Sequence, residues 1–87
     1  MLKIQRSSNG KIVFTLSGEI DKEEIAELEA LLRSEAKGRT IVLDLKDLTL
    51  VGRAAISFLG RCEAEGIGLR NCAAYVREWI TRERRGS

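Results

Sequence analysis

The 87-residue sequence predicts an α/β fold: a small mixed four-stranded sheet in the order β-β-α-β-α-β-α, with its helices mainly on one face. Three observations predict it. Two short alternating runs flank an Asn-Gly pair, helical patterns then alternate with apolar strand-like runs, and the chain is long enough for only one core. Strands separated by helices imply parallel crossovers behind an opening antiparallel hairpin, which puts the helices on a common face. At this length a folded chain buries about 60 to 65 % of its extended surface, so residues 1–87 read as a single domain.

The elements follow in order. Leu2 and Ile4 alternate with polar neighbours, Ser7-Ser8-Asn9-Gly10 supplies turn chemistry, and Ile12, Phe14 and Leu16 alternate again. Asn-Gly favours positive φ at a tight turn, and the period of two puts Ile12, Phe14 and Leu16 on one face. Asp21 is placed as a helix N-cap, with Glu24 completing a capping box and Ile20 and Ile25 forming a hydrophobic staple. Ile25, Leu28, Leu32 and Ala36 recur at helical spacing, and Gly38 is the expected stop.

Thr40-Ile41-Val42-Leu43-Asp44-Leu45 is a nearly continuous apolar run, the pattern of a central strand covered on both faces. From Gly52 the period becomes helical, with Ala55, Phe58, Leu59 and Cys62 on one side and an end before Gly66. Ile67 to Cys72 reads as a fourth strand. Tyr75, Val76, Trp79 and Ile80 then form the stripe of a last amphipathic helix, which decays into Arg82-Glu83-Arg84-Arg85-Gly86-Ser87.

Composition excludes several kinds of function. Fifteen Lys and Arg against thirteen Asp and Glu leave a charge of +2, too balanced for a nucleic-acid binder read from bulk charge. The absence of histidine removes the usual general base, zinc ligand and neutral-pH switch. Cys62 and Cys72 are too few for a zinc site, do not form a Cys-x-x-Cys pair, and read as small core or semi-buried residues. Asp44 and Asp47 read as strand-end and turn residues, not as an acid and base pair. No enzyme activity, metal or other cofactor is therefore expected. No run reaches the roughly 18 apolar residues of a membrane span, so neither membrane insertion nor a secretory route is expected, and the chain reads as cytoplasmic.

Specific residues add a resemblance. Leu16-Ser17-Gly18-Glu19-Ile20-Asp21 resembles the Leu-x-Gly-x-Leu/Ile-Asp lead-in to the first helix of STAS domains, the fold of bacterial anti-sigma factor antagonists and of sulfate-transporter tails. Ile41 to Leu48 is similar to that family's central strand and following loop, and the Gly66-led strand falls where the family has one. The resemblance spans roughly residues 10 to 80 and keeps the family's order. The family's antagonists carry Asp-Ser-Ser-Gly at the start of the second helix, with one serine phosphorylated by a partner kinase. Here the matching stretch is Gly52-Arg53-Ala54-Ala55, which has no hydroxyl. A phosphoserine would bring negative charge to a helix N-terminus, whereas Arg53 brings a fixed positive one. The chain is also shorter than the family's usual length at its C-terminus.

The resemblance implies a non-enzymatic regulatory interaction module that lacks the phospho-switch and docks through Leu50, Val51, Gly52, Arg53 and Ala54. Arg53 reads either as a partner contact that replaced the switch or as an exposed residue of a drifted loop. Thr49, in the loop before the helix, and Ser57, one turn into it, are the alternative phosphoacceptors, and both also read as ordinary hydroxyls. The implied partner is an anti-sigma factor of the kinase-like kind. The alternative is the ATPase of a phospholipid-trafficking ABC transporter, to which a short STAS protein serves as accessory subunit. Pairing with a second copy, through an uncovered edge strand or through the C-terminal side, would give a homodimer.

Overall fold

β1 (Leu2–Ser8) and β2 (Ile12–Ile20) pair antiparallel, with Leu2 opposite Gly18 and Ser8 opposite Ile12. The computed structural model of the chain describes every residue except Met1, Asn9, Ala36, Lys37, Arg39, Gly86 and Ser87, and the side chains of Leu50, Val51 and Arg84. Asn9 and Ala36, assigned above to the hairpin turn and the first helix stripe, therefore lie outside the described residues. Gly10 takes φ +81°, the positive φ that the turn was expected to need.

α1 (Lys22–Glu35) begins where the capping signals place it. The Glu24 carboxylate accepts the Asp21 N–H at 3.1 Å, which is the backbone half of a capping box. Its other oxygen accepts the Leu2 N–H at 2.7 Å, so one side chain closes the helix start and pins β1. Ile25, Leu28 and Leu32 are buried, and Gly38 beyond the helix has φ +72°.

β3 (Ile41–Val51) runs parallel to β2 and carries the sheet's centre. It differs from expectation in length and in cover. The strand starts one residue after Thr40 and continues through Lys46, Asp47, Leu48 and Thr49, because β2 supplies a parallel partner as far as Ile20. Register shifts opposite Thr15 to Ser17 and Gly18 to Glu19 absorb the extra residues of β3. Asp44, Asp47 and Thr49 therefore sit within a strand, not in the turn or loop expected for them. Ile41, Leu43 and Leu45 are buried while Val42 and Asp44 are only half-buried, so one face of the strand is covered and not both.

α2 (Arg53–Ala64) follows, then β4 (Gly68–Arg70) and α3 (Ala74–Arg85), giving the sheet order β1-β2-β3-β4. β4 pairs parallel to Val42, Leu43 and Asp44 and is shorter than the expected Ile67 to Cys72. Asn71 ends it: at φ +56° the chain turns off the edge, and the Asn71 side chain donates to Asp44 Oδ1 at 3.1 Å. The core lies between one sheet face (Ile12, Phe14, Leu16, Ile41, Leu43, Leu45) and the helices, among Leu28, Ile56, Phe58 and Leu59.

α3 packs antiparallel along α2. Val76 and Ile80 are buried and Trp79 packs half-buried against the core, but Tyr75 is 54 % exposed and drops out of the expected stripe. A Cβ placed on Gly60 would meet Ile80 Cγ2 at 3.6 Å, which marks the close approach of the two helices.

Candidate functional site

The end of β3 and the start of α2 bring the expected docking residues into one continuous stretch. The backbone of Leu50 and Val51 closes β3 against Glu19 and Ile20, while their side chains lie outside the described residues. Gly52 is exposed, extended (φ −91°, ψ 178°) and provides no side-chain cap. Its carbonyl accepts the Ile56 N–H at 3.0 Å, so the helix starts on backbone geometry alone. The absence of an acidic residue from the first turn leaves the positive end of the α2 dipole uncompensated by its own sequence.

Arg53 is exposed at 83 % of its side chain and points its Nε at Glu83 Oε1, 3.3 Å away. The two residues are 30 positions apart in sequence, so only the antiparallel packing of α3 on α2 brings them together. Sequence reasoning did not find Glu83. An exposed ion pair contributes only about 0.2 to 1 kcal/mol, so this contact orients Arg53 without committing it. Ala54 turns inward and packs half-buried against the core, which leaves Gly52 and Arg53 as the outward residues of the motif. Ser57 is exposed further along α2, and Thr49 is exposed on β3.

The other candidate residues have structural surroundings. Asp44 accepts from Asn71 Nδ2 and from the Lys46 N–H, both at 3.1 Å. The Asn71 hydrogen bond, assisted by that N–H and by the nearby Arg70 and Lys46 charges, outweighs burial and holds its carboxyl below the usual range. Asp47 is exposed opposite Ser17 and makes no pair with Asp44. Burial pushes the Cys62 thiol up to about 12, and it also raises the half-buried Cys72. Neither is therefore poised as a thiolate nucleophile. Among the described residues no group of three His, Cys, Asp or Glu could hold a metal ion, and no helix is long and apolar enough to cross a membrane.

A cleft of about 360 Å³ opens between the far ends of α1 and α2, floored by Leu32, Phe58 and Cys62. Arg61 donates to Glu29 at 3.3 Å across its rim, and Arg33 lies 3.7 Å from the same carboxylate. Cation and carboxylate compensate each other there, and the floor offers no activated nucleophile. The α2 start lies at the opposite end of that helix.

A mixed sheet in the order β1-β2-β3-β4 under α1, α2 and α3 is the architecture of a SpoIIAA-like fold. The same fold is seen in an uncharacterized protein of the DUF3478 family from Shewanella loihica PV-4, at TM-score 0.56 and 19 % identity over 99 % of this chain and 77 % of that one. The STAS domain family model matches residues 3–65, and the chain belongs to that family. No curated protein matches it. The match spans β1 through α2 and stops at Glu65, so β4 and α3 lie outside it. STAS domains are generally non-enzymatic protein-interaction or regulatory modules.

Proposed function

We propose that the chain is a non-catalytic interaction module that docks a protein partner through the β3–α2 junction, Leu50 to Ala54, without a serine phospho-switch. The observation that carries this reading is the start of α2. Gly52 and Arg53 are exposed at the junction, no residue from Gly52 to Ala55 has a hydroxyl, and Arg53 is held outward by a weak ion pair. A guanidinium at this position contributes several N–H donors in a planar fork, which suits a carboxylate on the partner. Docking there would exchange the Glu83 contact for one with the partner. An anti-sigma factor of the kinase-like kind and the ATPase of an ABC transporter are the two partner classes that the family reading suggests.

The test is affinity capture from the host's lysate with three baits: wild type, Arg53→Asp, and Glu27→Lys on the exposed face of α1 as a control. The expected result is one protein captured by wild type and Glu27→Lys and lost on Arg53→Asp, and its identity distinguishes the two partner classes. Equal capture by all three baits would move the interface away from the junction.

A further inference from the structure

We infer that the cleft between the C-terminal ends of α1 and α2 binds a free α-amino acid with an apolar side chain, its carboxylate held by Arg33 and its ammonium by Glu65. This does not depend on the partner-docking reading, because the β3–α2 junction lies at the other end of α2.

The rim of the cleft is set by topology. β2, β3 and β4 are parallel, so α1 and α2 both return against the strand direction and run side by side in the same sense. Residues four apart on one helix then face residues four apart on the other, as successive rungs. The charge order is opposite on the two helices: Glu29 then Arg33 on α1, Arg61 then Glu65 at the end of α2. The first rung is closed, with Arg61 donating to Glu29 at 3.3 Å. The second is open. Arg33 and Glu65 both line the cleft but form no ion pair with each other. Arg33 lies 3.7 Å from Glu29 of its own helix, beyond hydrogen-bond distance, and the Glu65 carboxylate has no partner among the described residues.

Below the open rung the cleft is apolar. Leu32, Phe58 and Cys62 are buried in its floor, and Ile67 closes one side half-buried. A cleft of about 360 Å³ with such a floor and a few polar groups at its mouth has the anatomy of a small-molecule site.

The charges choose the occupant. Two guanidiniums and two carboxylates leave the lining neutral, so an anion alone would satisfy Arg33 but face Glu29 and Glu65, and a cation alone would face the two arginines. The ligand that suits both walls is a zwitterion, with its anion on the α1 side and its cation on the α2 side. An α-amino acid carries both charges on one carbon, which leaves its side chain free to enter the apolar floor. A guanidinium fork takes a carboxylate through two N–H groups, and the negative dipole ends of both helices favour an ammonium at this mouth. The rim charges act on the floor as well: after burial, Glu65 is the next cause that raises the Cys62 thiol, and Arg61 opposes it.

The test is nitrogen–proton correlation NMR of the pure chain titrated with L-leucine and L-phenylalanine to about 20 mM, and with three analogues that each lack one part. Isocaproate lacks the ammonium, isoamylamine lacks the carboxylate, and glycine lacks the side chain. L-leucine or L-phenylalanine should shift the amide signals of Leu32, Cys62 and Ile67 with a dissociation constant of about 1 mM or below, and each analogue should bind at least about tenfold more weakly. Glu65→Gln should weaken binding of the amino acid about tenfold and leave that of isocaproate unchanged. Arg33→Gln should weaken the amino acid and isocaproate together and leave isoamylamine unchanged. Both side chains are exposed, so neither variant should move the melting temperature. No shift at these amides with either amino acid overturns the inference. So does isocaproate binding as tightly as leucine, which would make the cleft an anion site, or binding indifferent to Glu65→Gln. The analogue series uses the wild-type chain, so it decides even if a variant fails to fold. None of these readouts involves Arg53, so their failure is separate from a failure of partner capture.

Discussion

The two ends of α2 are built to opposite standards. At the C-terminal end Gly66 takes φ +93°, its N–H donates to the Glu63 carbonyl at 3.1 Å, and the Ile67 N–H donates to the Cys62 carbonyl at 3.0 Å. These two bonds form a Schellman motif, which satisfies carbonyls that a helix end otherwise leaves bare. Arg77 adds a 2.6 Å hydrogen bond to Glu63 from α3. At the N-terminal end Gly52 supplies no side-chain cap and Arg53 reaches to Glu83 across 3.3 Å. One end of the helix is tied into the fold by backbone and side-chain bonds, and the other carries an exposed ion pair. A cap there would have been easy to encode, because Ser, Asp or Asn at position 52 suits an N-terminus. Its absence leaves the first N–H groups of α2 without a side-chain cap from position 52.

That contrast gives a ranked set of expectations. The largest effect belongs to α3, which clamps the closed end of α2 and covers its flank. Ending the chain at residue 73 removes Val76 and Ile80, both buried, and should cost several kcal/mol at roughly 25 cal/mol per Å² of apolar surface re-exposed. Circular dichroism melts should then lose their cooperative transition. A truncated chain that melts as sharply and as high as the full one would show that α3 is an appendage. Within the full chain, Ile80→Ala empties the contact against Gly60 and should destabilise by about 2 to 5 kcal/mol in urea unfolding.

Gly66→Ala tests the closed end alone. A Cβ at Gly66 would meet no atom within 4 Å, so the cost is backbone strain at φ +93° and not a clash. About 1 to 2 kcal/mol is expected, with partner capture unchanged. Loss of capture would mean that both ends of α2 take part in docking.

A smaller effect is expected where β4 leaves the sheet. Asp44 has its pKa depressed below 3.8, first by the Asn71 hydrogen bond. A carboxylate with a depressed folded pKa contributes stability that is fully present above its unfolded value. That contribution is lost as pH falls through the folded one. Asp44→Asn should therefore flatten the decline in urea midpoint below about pH 4, and an unchanged acid limb would remove Asp44 from that role.

Much of this arrangement could be read from the chain. Element order, the Asp21 and Glu24 capping box and the face shared by Ile12, Phe14 and Leu16 depend on local spacing, and local spacing is what a sequence displays directly. What escaped depends on partners far along the chain. Lys46, Asp47 and Thr49 look like a loop, yet they extend β3 because β2 offers a parallel partner through Ile20. Asn71 ends β4 by turning left-handed onto Asp44, and Tyr75 lies outside the buried stripe once α3 is docked. For the site, the hydroxyl-free motif at Gly52 to Ala55 was legible, and the Glu83 contact to Arg53 was not, because no local pattern encodes a pair 30 residues apart.

The smallest stability effect is expected at Arg53, and that is what makes it the sharpest test of the open end. Arg53→Asp loses an exposed ion pair of about 0.2 to 1 kcal/mol and sets two carboxylates near one another at Glu83. It also replaces a cation by an anion at a helix N-terminus, a gain of about 0.3 to 1 kcal/mol. The terms nearly cancel, so the urea midpoint should stay within the equivalent of about 0.5 kcal/mol of wild type. A site built for stability would register the substitution in the midpoint and leave capture alone. A site built for recognition should do the reverse, with partner capture lost from a chain that is folded as firmly as before. Arg53→Ala separates charge reversal from charge loss: if recognition depends on the guanidinium itself, alanine should abolish capture nearly as well as aspartate.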